Sequence, residues 1–283
     1  MRNLNRRLDL CSINTATLGH REPIGRVIDR VAAAGFGGIA PWRRDLEGED
    51  VNAIARQILA LGLTVTGYCR STFIPAATRE QFERNIADNK AALADAATLG
   101  ARCFVMVVGG VPEGSRDLAG AREQVAEGVH ALLDTARELR VPLALEPLHP
   151  MYAANRSVLN TVAQALAMCE TLDPDRSGWL GIAVDAYHCW WDPSLHDSIA
   201  RAGKAGRILA YHVCDWLHDT QDMLLDRGMM GDGIVDLGSL RQSIEQAGYD
   251  GLVEVEIFSR EHWWRRDADE VLATCAQRLQ TIC

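Results

Sequence analysis

Nowhere in this chain do apolar residues run for the 18 or more positions that a membrane span requires. The arginine-bearing N-terminus MRNLNRRLDL also lacks the apolar stretch of a secretory signal. No two of the eight cysteines, at 11, 69, 103, 169, 189, 214, 275 and 283, stand in a CxxC pair. Several lie inside apolar runs, such as Cys103 in ARCFVMVV and Cys214 in YHVCDW, where a thiol serves as a small hydrophobe. These absences argue against a disulfide framework and point to a reducing, cytoplasmic setting. Surplus positive charge is missing too. Lys and Arg number 29 against 38 Asp and Glu, a net of −9, and nucleic-acid affinity comes largely from neutralising phosphates, so no nucleic-acid partner is expected. HExxH, GxSxG and the GK(S/T) ending of a phosphate-binding loop are absent. GFGGIA fits a dinucleotide fingerprint by letter at Gly35, Gly37 and Ala40, but it precedes a strand instead of opening a helix. Low-complexity tracts and domain-splitting linkers are not seen.

What is present is alternation. Strand patterns fall near 8–13, 37–41, 63–69, 102–108, 142–147, 181–186, 207–214 and 252–258. Between them lie helical patterns such as QFERNIADNKAALADAATLG, whose apolar residues return every three or four positions. A glycine repeatedly separates a helix end from the next strand, at Gly35, Gly62, Gly100 and Gly248, where its tolerance of the left-handed conformation stops the helix. Eight such units of about 35 residues predict an α/β fold, a (β/α)8 TIM barrel forming a single domain over 1–283. An open, doubly wound sheet is the competing fold, because periodicity does not reveal closure.

Function in such a barrel gathers at the C-terminal ends of the strands. Four successive strands end there with a polar ligand type: LALEPLHP with Glu146, GIAVDAYH with Asp185, LAYHVCD with His212 and LVEVEIFS with Glu256. A lone carboxylate at a strand end usually pairs with a neighbour or reaches solvent. Four such groups in one mouth include like charges that repel unless a cation or proton intervenes. They are therefore expected to bind one divalent metal ion. Oxygen-rich ligation with one imidazole suits Mn²⁺, Mg²⁺ or Co²⁺, with Zn²⁺ as a further option. Glu254 lies two residues before Glu256 and so faces the same side of its strand. Being deeper, it is expected to be held by an arginine or hydrogen bonds, while Glu256 ligates; the reverse assignment of the two is the alternative.

Other polar groups fall near the same rim. Arg43 in APWR and Arg70 in GYCR end strands two and three, suited either to a substrate's oxygens or to neutralising the acidic mouth. His149, between Pro147 and Pro150, and His188, at the end of DAYH, are candidates for substrate contact; His20 and His218 are weaker ones. Trp42, Trp190 and Trp191 offer apolar platforms for sugar C–H faces or core packing. The segment WLHDTQDMLLDRGMMGDGIVD after strand seven sits where insertions cover a pocket, bringing Arg227 over it. The Trp263–Trp264 pair hints at a homo-oligomer contact.

The strings ALEPLHP, AVDAYHCWWDP, YHVCD, RGMMGDG and GYDGLVEVEIFS resemble the sugar phosphate isomerase/epimerase proteins of the xylose isomerase-like superfamily, nearly end to end and most strongly from strand five. The relatives include D-tagatose 3-epimerase and inosose dehydratase. The resemblance implies that Glu146, Asp185, His212 and Glu256 bind the ion. It also implies that Glu146 and Glu256 move the proton, and that His188 and Arg227 hold substrate. The implied activity is metal-dependent isomerisation or epimerisation of a keto-sugar or related polyol through an enediolate. Tyr152 departs from the pattern, standing where the ketose epimerases carry a further substrate-binding Glu, which weakens 3-epimerisation of a free ketohexose as the reaction. A lyase or dehydratase acting on a keto-inositol or keto-glycoside is the alternative. An endonuclease IV-like DNA repair enzyme and a non-catalytic sugar-binding relative rank lower.

Overall fold

The computed structural model describes residues 1–283. Eight strands follow in chain order: β1 (Cys11–Asn14), β2 (Gly38–Ala40), β3 (Thr64–Val65), β4 (Phe104–Met106), β5 (Leu143–Leu145), β6 (Leu180–Asp185), β7 (Ile208–Val213) and β8 (Val253–Val255). The helices are α1 (Ile24–Ala33), α2 (Val51–Ala60), α3 (Arg79–Leu99), α4 (Leu118–Leu139), α5 (Val162–Leu172), the single turn α6 (Ala186–Cys189), α7 (Leu195–Lys204), α8 (Leu237–Gln246) and α9 (Ala268–Thr281).

The strands pair in parallel in the order β3-β2-β1-β8-β7-β6-β5-β4. Backbone bonds then join the two ends of that order: Arg102 N donates to Val65 O, Tyr68 N to Cys103 O and Val105 N to Tyr68 O, each at 3.0 Å. The sheet therefore closes on itself, which excludes the open doubly wound alternative. The strand centres lie where the sequence pattern puts them, with one shift. Leu8–Leu10 form a 3₁₀ turn ahead of β1 instead of its first residues. That turn crosses Gly37 so closely that a Cβ there would stand 2.1 Å from Asp9 O.

Two-residue periodicity sorts the side chains. Leu143 and Leu145, Ile182 and Val184, Tyr211 and Val213, and Val253 and Val255 join one apolar core shared with the helices. Their alternates Ala144, Ala183 and Ala210 gather with Cys69, Cys103 and Val105 in a separate cluster inside the barrel. Glu146, Asp185 and His212 are each two residues beyond one of those alanines, so they share the inward face one layer higher. Small side chains low in the barrel leave depth for polar ones at the mouth. No helix is long and apolar enough to cross a membrane.

Gly35, Gly62, Gly100 and Gly248 all take positive φ, as their role as helix stops requires. Helix α4 ends without a glycine: exposed Arg140 takes the left-handed position, at φ 58°. A Cβ costs about 1–2 kcal/mol in that conformation. Two substitutions should therefore act in opposite directions. Gly100→Ala at the end of α3, where φ is 68° and no atom lies within 4 Å of an added Cβ, is expected to lower Tm by about 2–4 °C. Arg140→Gly is expected to raise Tm by a smaller amount, since glycine's extra unfolded-state freedom offsets part of the relief. Thermal unfolding of the two variants beside the parent chain checks both signs.

Candidate metal centre and substrate cavity

Glu146 directly follows β5, Asp185 ends β6, His212 lies near the end of β7 and Glu256 directly follows β8. Their backbones are fixed by the ladder itself: Glu146 N donates to Met106 O at 3.0 Å, Glu256 N donates to Val213 O at 3.1 Å, and Asp185 pairs with His212 in register. All four side chains are buried, and one ligand atom from each lies within 4.8 Å of the others. Ligands of one divalent ion, each about 2.0–2.2 Å from it, stand only slightly closer than this. The cluster is a set able to hold a metal ion.

Charge supports that fit. Glu146, Asp185, Glu254 and Glu256 are four buried carboxylates, and the cations facing them are Arg227 and, if protonated, His212. With His212 neutral, as ligation through its ring nitrogen requires, three negative charges are left over, and a divalent cation offsets two of them. Burial raises the Asp185 carboxyl to about 6 against the pull of Arg227. Burial also raises Glu256, with Arg227 opposing and Glu146 reinforcing the shift. At His212 burial disfavours the charged ring, but Glu254, Glu146 and Glu256 outweigh it and hold the imidazole well above its ordinary value. Its Nδ1 stands 2.9 Å from Glu146 Oε1, while its buried Nε2 has no hydrogen-bond partner.

The deeper glutamate is held by hydrogen bonds and not by an arginine. Glu254 accepts from Asn14 Nδ2 at 2.9 Å and from Thr66 Oγ1 at 2.6 Å. Asn14 Nδ2 also reaches Glu256 Oε1 at 2.9 Å, and Ser12 lies behind Thr66 at 2.8 Å. These three residues were not legible as site residues. For Ser12 and Asn14 the signal was two polar residues two apart in a fully buried strand; Thr66, just after β3, carried none.

Arg227, expected over the pocket on the covering segment, is fixed in its wall. It is buried, with its guanidinium carbon 4.4 Å from the Tyr187 ring centre and 4.7 Å from that of Phe258. Nη1 donates to Asp185 Oδ2 at 3.0 Å and to Glu256 Oε2 at 3.1 Å, and Nη2 stands 3.1 Å from His188 Nε2. Burial, seconded by Arg227, pushes the His188 imidazole well below its ordinary value, so the ring is neutral. The segment after β7 does cover the cavity, through Leu224, Leu225 and Arg227. It is tied down at Met223 O, which accepts from the hydroxyls of both Tyr152 and Tyr187.

The cavity above this cluster measures about 780 Å³, within the range of small-molecule sites. Glu146, Glu256, His188, Arg227, Tyr152, Arg43 and Arg70 all line it. His149 does not: its ring stacks on Trp216 at 4.7 Å, and its backbone N–H faces His188 Nδ1 at 3.3 Å. Arg43 reaches the wall already paired, its guanidinium bound to Asp88 at 2.9 and 3.1 Å. Trp190 and Trp191 stand outside the lining, and the aromatic wall is instead Trp42, Phe258 and Trp264. Trp264 thus faces the cavity and not an outer surface, with Nε1 donating to Ala16 O at 2.7 Å. His20 lines the same wall, its Nδ1 2.6 Å from Asp45 Oδ1. His218 is exposed on the covering segment, beside Asp219.

Comparison with known proteins agrees with this architecture. The inosose isomerase of Bacillus velezensis is 26% identical over 205 residues, which is 70% of this chain and 68% of that protein. The crystal structure of protein SMc04130 from Sinorhizobium meliloti 1021 is 49% identical, with a TM-score of 0.94, and the match covers 98% of this chain and 99% of that one. The IOLI protein, solved with a zinc atom, is similar in fold at a TM-score of 0.83 and 21% identity, covering 96% of this chain and 97% of that one. A family model described as the xylose isomerase-like TIM barrel matches residues 28–275, and the chain belongs to that family.

Proposed function

We propose that this protein is a divalent-metal-dependent isomerase or epimerase of a keto-sugar or related polyol. The observation that carries the reading is the convergence of Glu146, Asp185, His212 and Glu256 within 4.8 Å, with Glu146 and Glu256 lining a cavity large enough for a sugar. The inosose isomerase similarity and the zinc in the IOLI structure support the substrate class and the metal.

A divalent ion held by these four residues would stabilise the negative charge that develops on oxygen when a C–H beside a carbonyl is deprotonated. The protein supplies the proton movements. Glu256, as the carboxylate, accepts the proton, and Glu146, which approaches the cavity from β5 and carries a proton of its own at that step, donates it to the opposite face or to the neighbouring carbon; exchange with solvent then resets both groups. Neutral His188 and the fixed guanidinium of Arg227 orient the substrate's oxygens, and their own positions are set by Tyr187, Phe258 and Asp185. Trp42, Phe258 and Trp264 pack against the apolar C–H edge of the substrate and limit water at the reacting carbon.

Two tests follow. Metal analysis of the purified chain should find one divalent ion per polypeptide, and chelation should abolish turnover. Restoring the ion at about 100 times its dissociation constant should stabilise the fold by about 2.7 kcal/mol, a rise of roughly 5 °C or more in Tm, and Asp185→Asn should blunt that rise. A chain that neither binds an ion nor gains stability refutes the metal centre.

The second test incubates metal-loaded protein with ketoses, keto-inositols and keto-glycosides in deuterated water. Deuterium should enter the carbon beside the carbonyl, and Glu146→Gln and Glu256→Gln should each slow its entry at least about 100-fold. Exchange that persists in both variants overturns the proton-transfer roles. An unsaturated ketone absorbing in the ultraviolet would instead identify elimination.

A further inference from the structure

Five arginines line the cavity: Arg43, Arg44, Arg70, Arg156 and Arg227. Arg43 is paired with Asp88, Arg227 with Asp185 and Glu256, and Arg44 is exposed to solvent. Arg70 and Arg156 differ from all three. Both are half-buried, and neither guanidinium has an ion pair or a hydrogen bond, although neither is sealed off from the cavity. From this we propose that Arg70 and Arg156 form a binding subsite for an oxyanion, so that the polyol turned over at the metal centre carries a carboxylate or a phosphate. This inference rests on the reading of the site as a keto-polyol enzyme and narrows its substrate class.

The two side chains are held ready. The Arg70 guanidinium carbon lies 4.8 Å from the Phe73 ring centre, and that of Arg156 lies 5.8 Å from the Tyr152 ring centre. Phe73 packs on the same small apolar cluster that contains Tyr152, Val107 and Leu148. Stacking on an aromatic face fixes a guanidinium while leaving its N–H edge free, which is the geometry for a fork onto a carboxylate or phosphate. The backbone is fixed as well. Arg156 O accepts from Gly109 N at 2.9 Å, and Gly109 sits at φ 104°, where a Cβ would meet Phe73 at 2.8 Å. Only a glycine there lets the end of β4 approach the Arg156 segment and Phe73 together.

The electrostatics of this arrangement favour an anion. Burial lowers the Arg70 guanidinium from its ordinary value, and the charges of Arg156 and Arg43 lower it further. Burial lowers Arg156 too, with Tyr152 opposing and Arg227 adding to the shift. Partly desolvated cations that repel one another are stabilised by an anion set between them. The subsite shares its cavity with the chemistry: Arg70 and Arg156 line the same cavity as Glu146 and Glu256, and the Tyr152 ring beneath Arg156 stands 5.8 Å from the His188 ring.

Calorimetry on the metal-loaded full chain, with inorganic phosphate, D-gluconate and neutral D-glucitol as probes, tests the subsite apart from turnover. Phosphate or gluconate should bind at least about 10-fold more tightly than glucitol, and whichever prevails identifies the anion. In Arg70→Met/Arg156→Met the ratio of anion to glucitol affinity should fall to about one. Arg156→Lys, which keeps the charge and the stem, should retain part of the preference. Equal binding of all three probes by the parent chain, or an undiminished preference in the double methionine variant, overturns the proposal. The Glu146→Gln and Glu256→Gln variants keep both arginines, so anion preference in them separates the two readings. Preference retained while parent and variants alike show no deuterium exchange leaves the subsite standing and removes the isomerase. Exchange without preference does the reverse.

Discussion

Everything in this molecule's upper half answers to one constraint: closing eight parallel strands into a cylinder brings buried carboxylates from three strand ends into one small volume. The alternation of side chains along β5, β6, β7 and β8 aims Glu146, Asp185, His212 and Glu256 inward, above the Ala144, Ala183 and Ala210 layer. Once there, those groups repel, and burial makes each charge harder to hold. The remaining polar residues of the mouth can be understood as responses to that repulsion. Asn14 and Thr66 satisfy Glu254 from below, the His212 imidazole is drawn toward its charged form, and Arg227 bridges Asp185 and Glu256.

Arg227 shows how a segment outside the barrel becomes part of its floor. Its backbone N–H donates to Phe258 O at 2.8 Å, and its side chain lies between the Phe258 and Tyr187 rings. Two tyrosine hydroxyls, from opposite sides of the 152–187 stretch, hold Met223 O four residues earlier. Tyr152 therefore ties down the cavity's cover through its hydroxyl and contributes no charge to it. Its ring supports Arg156 on one side and meets His188 on the other. The arginines next to it, Arg70 and Arg156, have no acid to pair with, so this part of the wall is basic.

The barrel and the four convergent ligand groups were legible because both rest on periodicity and register. Residues two apart on a strand must face the same side, and parallel pairing without offset puts strand ends at one rim. Distances beyond that depend on contacts between segments remote in sequence. His149 looked like a cavity residue from its spacing after Glu146, but Trp216 from the segment after β7 takes up its ring. Trp264 looked like an outer surface, but the turn at Trp263–Arg265 folds it back against His20 and Phe258. Arg156 gave no signal at all, because its position depends on a glycine 47 residues earlier meeting its carbonyl.

The contrast between Arg43 and Arg70 makes the same point at the level of charge. Both follow strand ends, on neighbouring strands, and their sequence contexts offered the same two roles: hold a ligand or neutralise an acid. Helix α3 separates them. Its face carries Asp88 to Arg43, with Thr72 completing the contact, and that pairing settles Arg43 as a wall element. No helix brings an acid to Arg70, which lies against Phe73 with its polar edge unspent. The cavity consequently has an acidic end able to hold a cation and a basic end whose arginines are unpaired. A neutral polyol would engage only the first, whereas a substrate with an oxyanion at its far terminus engages both and is fixed in one direction, which is the condition for presenting a single carbon to Glu146 and Glu256.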